Sequence, residues 1–399
     1  MLLDSQTSRK VCYLSTYPPR KCGIGIFTKD LVDAMDIYSD SVSSTVIALN
    51  ETRTSNCYDQ RVKWQIRHDK EEDYIKVAEE VNSSDNDVVN IQHEFGIFGG
   101  EWGSHVISFL ETLRKPVVTT LHTLQPDLDP RGQQVLKQIL SRSNAIVVMN
   151  NTAIGLLAQL NVPFEKINVI PHGCPDIPLV SSNYVKSSIG LNDRTVLCTF
   201  GLISRGKGIE YAIQALPRVV EKHPEVIYLI IGETHPVVKK IEGEKYRRML
   251  YDKVKELGLR KHVAFQNRFL SKMELIRYLQ ATDIYITPYP GKYQISSGTL
   301  IYALAAGRAV VSTPYLHAKE VLNNGRGVFC DFNNSVSIAE ALEPLLSNEN
   351  LKRETEAKAY EYTRSFVWSR VSERYTALFN LVSEHEAEEY PIEITTREA

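Results

Sequence analysis

Short runs of apolar and β-branched residues recur along almost the whole chain, and amphipathic helical stretches lie between most of them. The runs are residues 11–15, 45–49, 88–93, 117–122, 145–149 and 167–172 in the first half, then 196–201, 226–232, 263–267, 284–288, 309–313 and 328–330. Near-continuous apolar strands joined by helices long enough to return the chain build a parallel sheet covered on both faces. The fold class is therefore α/β, with two doubly wound, Rossmann-like domains facing across an active cleft. The stretch 174–193, CPDIPLVSSNYVKSSIGLND, is rich in Pro, Ser and Asn without a sustained period, which puts the join there. The expected domains are 1–178 and 179–366. A helix and acidic tail at 367–399 should pack back towards the first domain, with Trp368 and Tyr375 docking them.

Composition removes several function classes. A chain of 399 residues, 43% hydrophobic and 24% charged, can bury two cores, and a formal net charge of −2 gives it no electrostatic attraction for nucleic acid. The start, MLLDSQTSRK, lacks a basic segment followed by a long apolar core, and no apolar run reaches the roughly 18 residues of a membrane span, so the expected location is cytoplasmic. Cys12, Cys22, Cys57, Cys174, Cys198 and Cys330 are scattered without a C-x-x-C pair. Buried free thiols fit this better than a metal site or a disulfide framework.

In a doubly wound sheet ligands bind beyond the carboxyl ends of the strands, so loops there carry the chemistry. Residues 289–314, YPGKYQISSGTLIYALAAGRAVVSTP, read as a loop, a short helix and a buried strand. Ser296, Ser297, Gly298 and Thr299 put hydroxyls and close-approaching amides at the helix N-terminus, where a diphosphate is favoured, although a capped helix in any α/β protein would carry similar residues. In FGLISRGKGIE, Arg205 and Lys207 stand among glycines in a strand-to-helix loop and can meet the same phosphate; a solvated basic turn is the plainer alternative. TYPPRKCGIGIF places Gly23 and Gly25 in a loop before a helix beginning near Phe27. It is neither the full dinucleotide fingerprint nor a P-loop. His93, His122 and His172 each close a strand, with His122 the best placed to face a cleft. Strand ends are spread across a sheet and compact ligand spacing is missing, so no metal is expected, and Asp127 and Asp129 in PDLDP read as turn chemistry.

Taken together, CGIGIF, LHT, IPHG, FGLISRGKGIE, GETHP, ATDIYITPY and YALAAGRAVVSTP make the chain resemble the two-domain retaining glycosyltransferases of family 4, which have the GT-B fold. The resemblance covers nearly the whole length and implies metal-independent transfer of a hexose from a nucleotide-sugar to an acceptor hydroxyl with retained configuration. It assigns Lys207 to the donor diphosphate and His122 to the neighbourhood of the transferred sugar, with Gln294 the third catalytic candidate. The expected donor side comprises Gly201, Arg205, Lys207, Glu233, Gln294, Ser296, Ser297, Gly298, Thr299 and Tyr302. Gly23, Gly25, His93 and His172 are expected on the acceptor side. The chain departs from the family pattern where two glutamates eight positions apart are usual, since Gln294 and Tyr302 stand there, and Leu202 replaces an arginine after the glycine loop. No cofactor is expected. Similarity to the subset with QISSGTL favours GDP-mannose as donor, with UDP-glucose next; the acceptor is a sugar, a glycan or a lipid-linked molecule. A non-catalytic sugar-nucleotide-binding subunit or a sugar-nucleotide epimerase are the alternatives. Basic residues within 239–261 suggest a weak peripheral membrane contact, although interleaved Glu242, Glu244 and Glu256 favour a solvated helix face.

Overall fold

The computed structural model describes residues 8–51 and 56–389. The amino-terminal stretch read for a leader falls largely outside them, as does the end of the acidic tail. The chain divides into two units, one running to Pro171 and resuming at Trp368, the other His172–Val367. The Pro-, Ser- and Asn-rich stretch 174–193 lies in the second unit.

The first unit holds a seven-stranded parallel sheet: β1 (Arg9–Ser15), β2 (Val42–Asn50), β3 (Val62–Arg67), β4 (Val88–His93), β5 (Val117–Leu121), β6 (Ala145–Val148) and β7 (Ile167–Val169), in the order β3-β2-β1-β4-β5-β6-β7. Tyr13 of β1 pairs with Val46 on one side and Asn90 on the other. The strand order reverses between β1 and β4, which opens a crevice at their carboxyl ends. Strand β3 is absent from the sequence-derived set. At the sheet edge it alternates half-buried Val62, Trp64 and buried Ile66 with exposed Lys63, Gln65 and Arg67 instead of forming an apolar run.

The helix Gly23–Tyr38 begins four residues before the expected start. Its first turn hugs β1, for a Cβ on Gly25 would stand 3.3 Å from the Thr16 backbone. Phe27, Leu31 and Met35, spaced by four, turn into the core and meet Trp368, Val371, Tyr375 and Phe379 of the helix Trp368–Glu389. Phe27 and Trp368 lie edge to face at 5.3 Å, and Tyr13 and Phe379 at 6.2 Å. Phe379 is fully buried, so its truncation to alanine should destabilise this unit by about 3–5 kcal/mol.

The second unit holds a six-stranded parallel sheet: β8 (Thr195–Phe200), β9 (Val226–Ile231), β10 (Val263–Gln266), β11 (Ile284–Thr287), β12 (Ala309–Ser312) and β13 (Val328–Phe329), in the order β10-β9-β8-β11-β12-β13. One face is covered by Ile209, Ile213 and Leu216 of the helix Ile209–Lys222, the other by Leu300, Ile301 and Leu304 of the helix Gly298–Ala305. Two such doubly wound units are the α/β architecture that the GT-B resemblance implies. Cys12, Cys174, Cys198 and Cys330 are buried free thiols, whereas Cys57 is exposed and Cys22 half-buried.

Candidate functional site

In the second sheet the strand order reverses between β8 and β11, so the loops after these neighbouring strands part and leave a crevice at their carboxyl ends. Gly201 directly follows β8 with φ 128°, and Gly232 directly follows β9 with φ 138°. A Cβ on Gly232 would stand 1.9 Å from the Gly201 carbonyl oxygen, and one on Gly201 would lie 3.3 Å from Lys207 Nζ and 3.4 Å from Thr299 Cγ2. Only glycine therefore lets the two loops touch beneath the place where Lys207 and Thr299 converge. The loops are tied by amide-to-carbonyl bonds from Ile203 to Glu233 (2.8 Å) and from His235 to Ile203 (2.9 Å).

Lys207 ends a single 3-10 turn, Arg205–Lys207, and its ammonium donates to Tyr289 Oη at 2.6 Å while lying 4.4 Å from the centre of that ring. Tyr289 Oη in turn bonds Thr299 Oγ1 at 2.8 Å, and Thr299 Oγ1 lies 3.3 Å from Ser297 Oγ. Ser297 caps the helix Gly298–Ala305 by accepting from the Leu300 amide, and the amides of Gly298 and Thr299 have no acceptor among the described residues. Burial alone would raise the Tyr289 phenol pKa; the Lys207 ammonium and the bonds from Lys207 and Thr299 outweigh it and hold the phenol below its ordinary value. A cation, two hydroxyls and a helix N-terminus thus meet at one point, an arrangement suited to a phosphate or diphosphate.

Histidines surround this point without adding charge. His172 donates from Nδ1 to its neighbour's carbonyl, Gly173 O, at 2.8 Å, and a Cβ on Gly298 would stand 2.6 Å from His172 Nε2. His172, expected on the acceptor side, therefore packs against the start of the helix Gly298–Ala305. Burial lowers its pKa to about 4, and burial together with His172 lowers that of fully buried His317 to about 3. The His235 pKa is lowered by burial and then by Lys207. The loop before the helix is pinned by amide bonds from Leu316 to Lys292 O (3.1 Å) and from His317 to Gln294 O (3.0 Å).

Residues 184–365 match the family model described as Glycosyl transferases group 1, and residues 73–176 match Glycosyltransferase Family 4. The chain belongs to the family-4 glycosyltransferases. It is 27% identical to spore coat protein SA of Bacillus subtilis over 202 residues, 49% of this chain and 51% of that one. With the phosphatidyl-myo-inositol mannosyltransferase of Mycolicibacterium smegmatis it shares 26% identity over 194 residues, 48% of this chain and 46% of that one. The chain thus spans about half the length of these curated relatives. Anabaena HepE, solved with UDP and glucose, superposes with a TM-score of 0.73 at 15% identity, covering 94% of this chain and 100% of that one.

The other candidate site residues stand as follows. Arg205 is exposed and turns to Glu242 (3.5 Å) and the Tyr246 ring (5.3 Å). Tyr302 is buried in the apolar core with Leu300 and Ile301. Gln294 is exposed, and its Nε2 donates to the Ser296 carbonyl at 2.8 Å. In the first unit, His93 is wholly buried between Phe95 (4.9 Å, edge to face) and Phe98 (5.8 Å, stacked). Burial takes its pKa to about 4, and neither ring nitrogen has a partner among the described residues, so His93, expected on the acceptor side, packs as a core residue. Gly23 and Gly25 sit in the first helical turn, and a Cβ on Gly23 would meet nothing within 4 Å. His122, just after β5, is half-buried, with Nε2 2.8 Å from Gln92 Oε1 and its ring edge-on to Phe27 at 4.8 Å.

Asp129 caps the helix Pro130–Ser141 by accepting from the Gly132 amide at 2.7 Å, and no group of three metal-ligating side chains occurs among the described residues. In the basic stretch 239–261, Lys239 pairs with Glu244 at 3.5 Å, and Arg247 is buried on the Gly232 carbonyl at 2.8 Å. Sequence reasoning missed Tyr289. Its one signal was position, directly beyond β11 at the reversal of strand order.

Proposed function

We propose that the chain transfers a hexose from a nucleotide-sugar to an acceptor hydroxyl with retention of configuration and without a metal, GDP-mannose being the favoured donor and UDP-glucose the second. The observation that carries this reading is the Lys207–Tyr289–Thr299 chain at the N-terminus of the helix Gly298–Ala305. As the anomeric bond breaks, negative charge develops on the departing diphosphate. A fixed ammonium and unpaired helix amides stabilise that charge more than they stabilise the ground state, which lowers the barrier without a strong acid. The acceptor hydroxyl attacks from the face the diphosphate leaves, and its proton goes to the departing phosphate oxygen. The reading gives the diphosphate to Lys207, Thr299 and the helix, and a sugar hydroxyl to His122. Gln294 replaces a glutamate, holding a hydroxyl without adding negative charge beside the phosphates.

The mannosyltransferase relative supports mannose, and the UDP and glucose of HepE support the second donor. A cytoplasmic location is part of the proposal; among the described residues no helix is long and apolar enough to cross a membrane. A sugar-nucleotide-binding subunit without turnover is the second reading, favoured by the missing carboxylates at Gln294 and Tyr302. Incubation with radiolabelled GDP-mannose and UDP-glucose, with glycan and lipid acceptors, separates the cases. A labelled α-linked glycoside supports transfer, an isomerised donor supports an epimerase, and tight binding with neither product supports the subunit.

A further inference from the structure

A buried file of polar side chains runs through the first sheet to His122. At its inner end Tyr375 Oη and Thr120 Oγ1 lie 3.1 Å apart. Asn90 Nδ2 donates to the Val118 carbonyl at 2.9 Å and to Thr120 Oγ1 at 3.3 Å, Gln92 Nε2 donates to Asn90 Oδ1 at 2.5 Å, and Gln92 Oε1 meets His122 Nε2 at 2.8 Å. Asn90, Gln92 and Thr120 are wholly inaccessible and Tyr375 nearly so. Each is a polar residue in or against a core strand where an apolar one would pack, and each is satisfied by the next.

The file has a direction, set by one group that cannot turn round. A backbone carbonyl only accepts, so the Asn90 atom facing Val118 O is the amide nitrogen. Asn90 Oδ1 then points at Gln92 and needs a donor, which fixes the Gln92 nitrogen there. Gln92 Oε1 is left facing His122 as an acceptor, so His122 Nε2 must carry a proton. Amide orientations and imidazole tautomers are matters of hydrogen-bond logic, and here the logic has a single solution.

We propose that Gln92 is a positioning residue that holds His122 as the tautomer protonated at Nε2, making Nδ1 the ring's only basic atom. With the sugar contact assigned above, on which this role rests, His122 would accept a hydrogen bond from a sugar hydroxyl through Nδ1 and be unable to donate one from that atom while neutral. Gln92 itself touches no substrate. It acts through His122, and Asn90 acts through Gln92.

The test reads the ring directly. In full-length protein labelled with 15N-histidine, at a pH where the ring is neutral, the His122 signals are identified by their loss in His122→Gln. The expected spectrum has a protonated Nε2 and a lone pair on Nδ1. A proton on Nδ1, or an even mixture, in the wild-type protein would overturn the proposal whatever the enzyme turns over. In Asn90→Leu the Gln92 amide is free to rotate, and in Gln92→Leu the acceptor is gone. Both should turn the single tautomer into a mixture and lower kcat at least about tenfold with donor KM within about twofold. Unchanged His122 signals in both variants would refute the relay. A wild-type protein that shows the Nε2 proton yet transfers nothing would leave the tautomer assignment standing and remove the transferase reading instead.

Discussion

Replacing Tyr289 by Phe isolates the hydroxyl that joins Lys207 to the start of the helix Gly298–Ala305. The hydroxyl is buried, takes a charge-assisted bond from Lys207 at 2.6 Å and shares one with Thr299 at 2.8 Å. Such bonds contribute about 1.5–3 and 0.5–1.5 kcal/mol respectively. The full sum will not be lost. Thr299 keeps Ser297 at 3.3 Å, the Phe ring still faces the ammonium seen 4.4 Å from its centre, and half-buried Lys207 can turn to water. The expected destabilisation is about 2 kcal/mol, a fall in Tm of roughly 4–8 °C if the unit of some 200 residues melts cooperatively. Because the cation remains, the affinity for a nucleoside diphosphate should fall less than about tenfold. Scanning calorimetry of the free proteins gives the first quantity and titration calorimetry with GDP and UDP the second. A Tyr289→Phe protein that melts with the wild type would show that the hydroxyl does not tie the loops. Complete loss of diphosphate binding would show that Tyr289, and not Lys207, holds the anion.

Gln294→Ala should lower transfer at least about tenfold and leave diphosphate affinity unchanged, because only the sugar loses a partner; normal transfer would leave Gln294 the loop-bracing role of its bond to Ser296. Gly298→Ala should displace His172, 2.6 Å from the new methyl group, and weaken donor binding while the fold persists; a crystal structure with the ring unmoved would contradict the packing. Buried His93 and His317 have pKa values lowered from 6.5 to about 4 and about 3, so the unfolded chain binds more protons below pH 6.5. Their contribution to stability is complete above that pH and is lost as pH falls towards 4. His93→Leu should flatten the acid limb by up to about 1.4 kcal/mol per pH unit, and denaturant titrations with an unchanged slope would refute this.

Most of the scaffold was legible because parallel strands buried on both faces must be apolar throughout, as in residues 309–313 and 284–288. Strand β3 escaped because an edge strand has one dry face, and Val62, Trp64 and Ile66 alternate instead of running together. The basic loop and the capped helix were readable for a similar reason, since a cap and the glycines of a turn are local in the chain. Tyr289 was not, because its bond to Lys207 spans 82 positions and arises only when β8 and β11 become neighbours. His93 and His122 end adjacent strands and look alike in sequence. Only packing separates them, with two phenylalanines closing over one and a glutamine reaching the other. Asn90 and Gln92 were invisible for the same reason, as polar residues in an apolar run, Asn90 bonding Val118 and Thr120 of the next strand and Gln92 bonding Asn90 and His122.

The central claim, that the second unit grips a donor diphosphate through Lys207, is tested most directly by titrating GDP and UDP into the wild-type protein and Lys207→Ala. Loss of a charge-assisted bond predicts affinity weaker by about 1.5–3 kcal/mol, roughly ten- to hundredfold, with the melting temperature of the free protein lowered less than in Tyr289→Phe. Equal affinity in the two proteins would contradict the claim and move the anion site away from the Gly298–Ala305 helix.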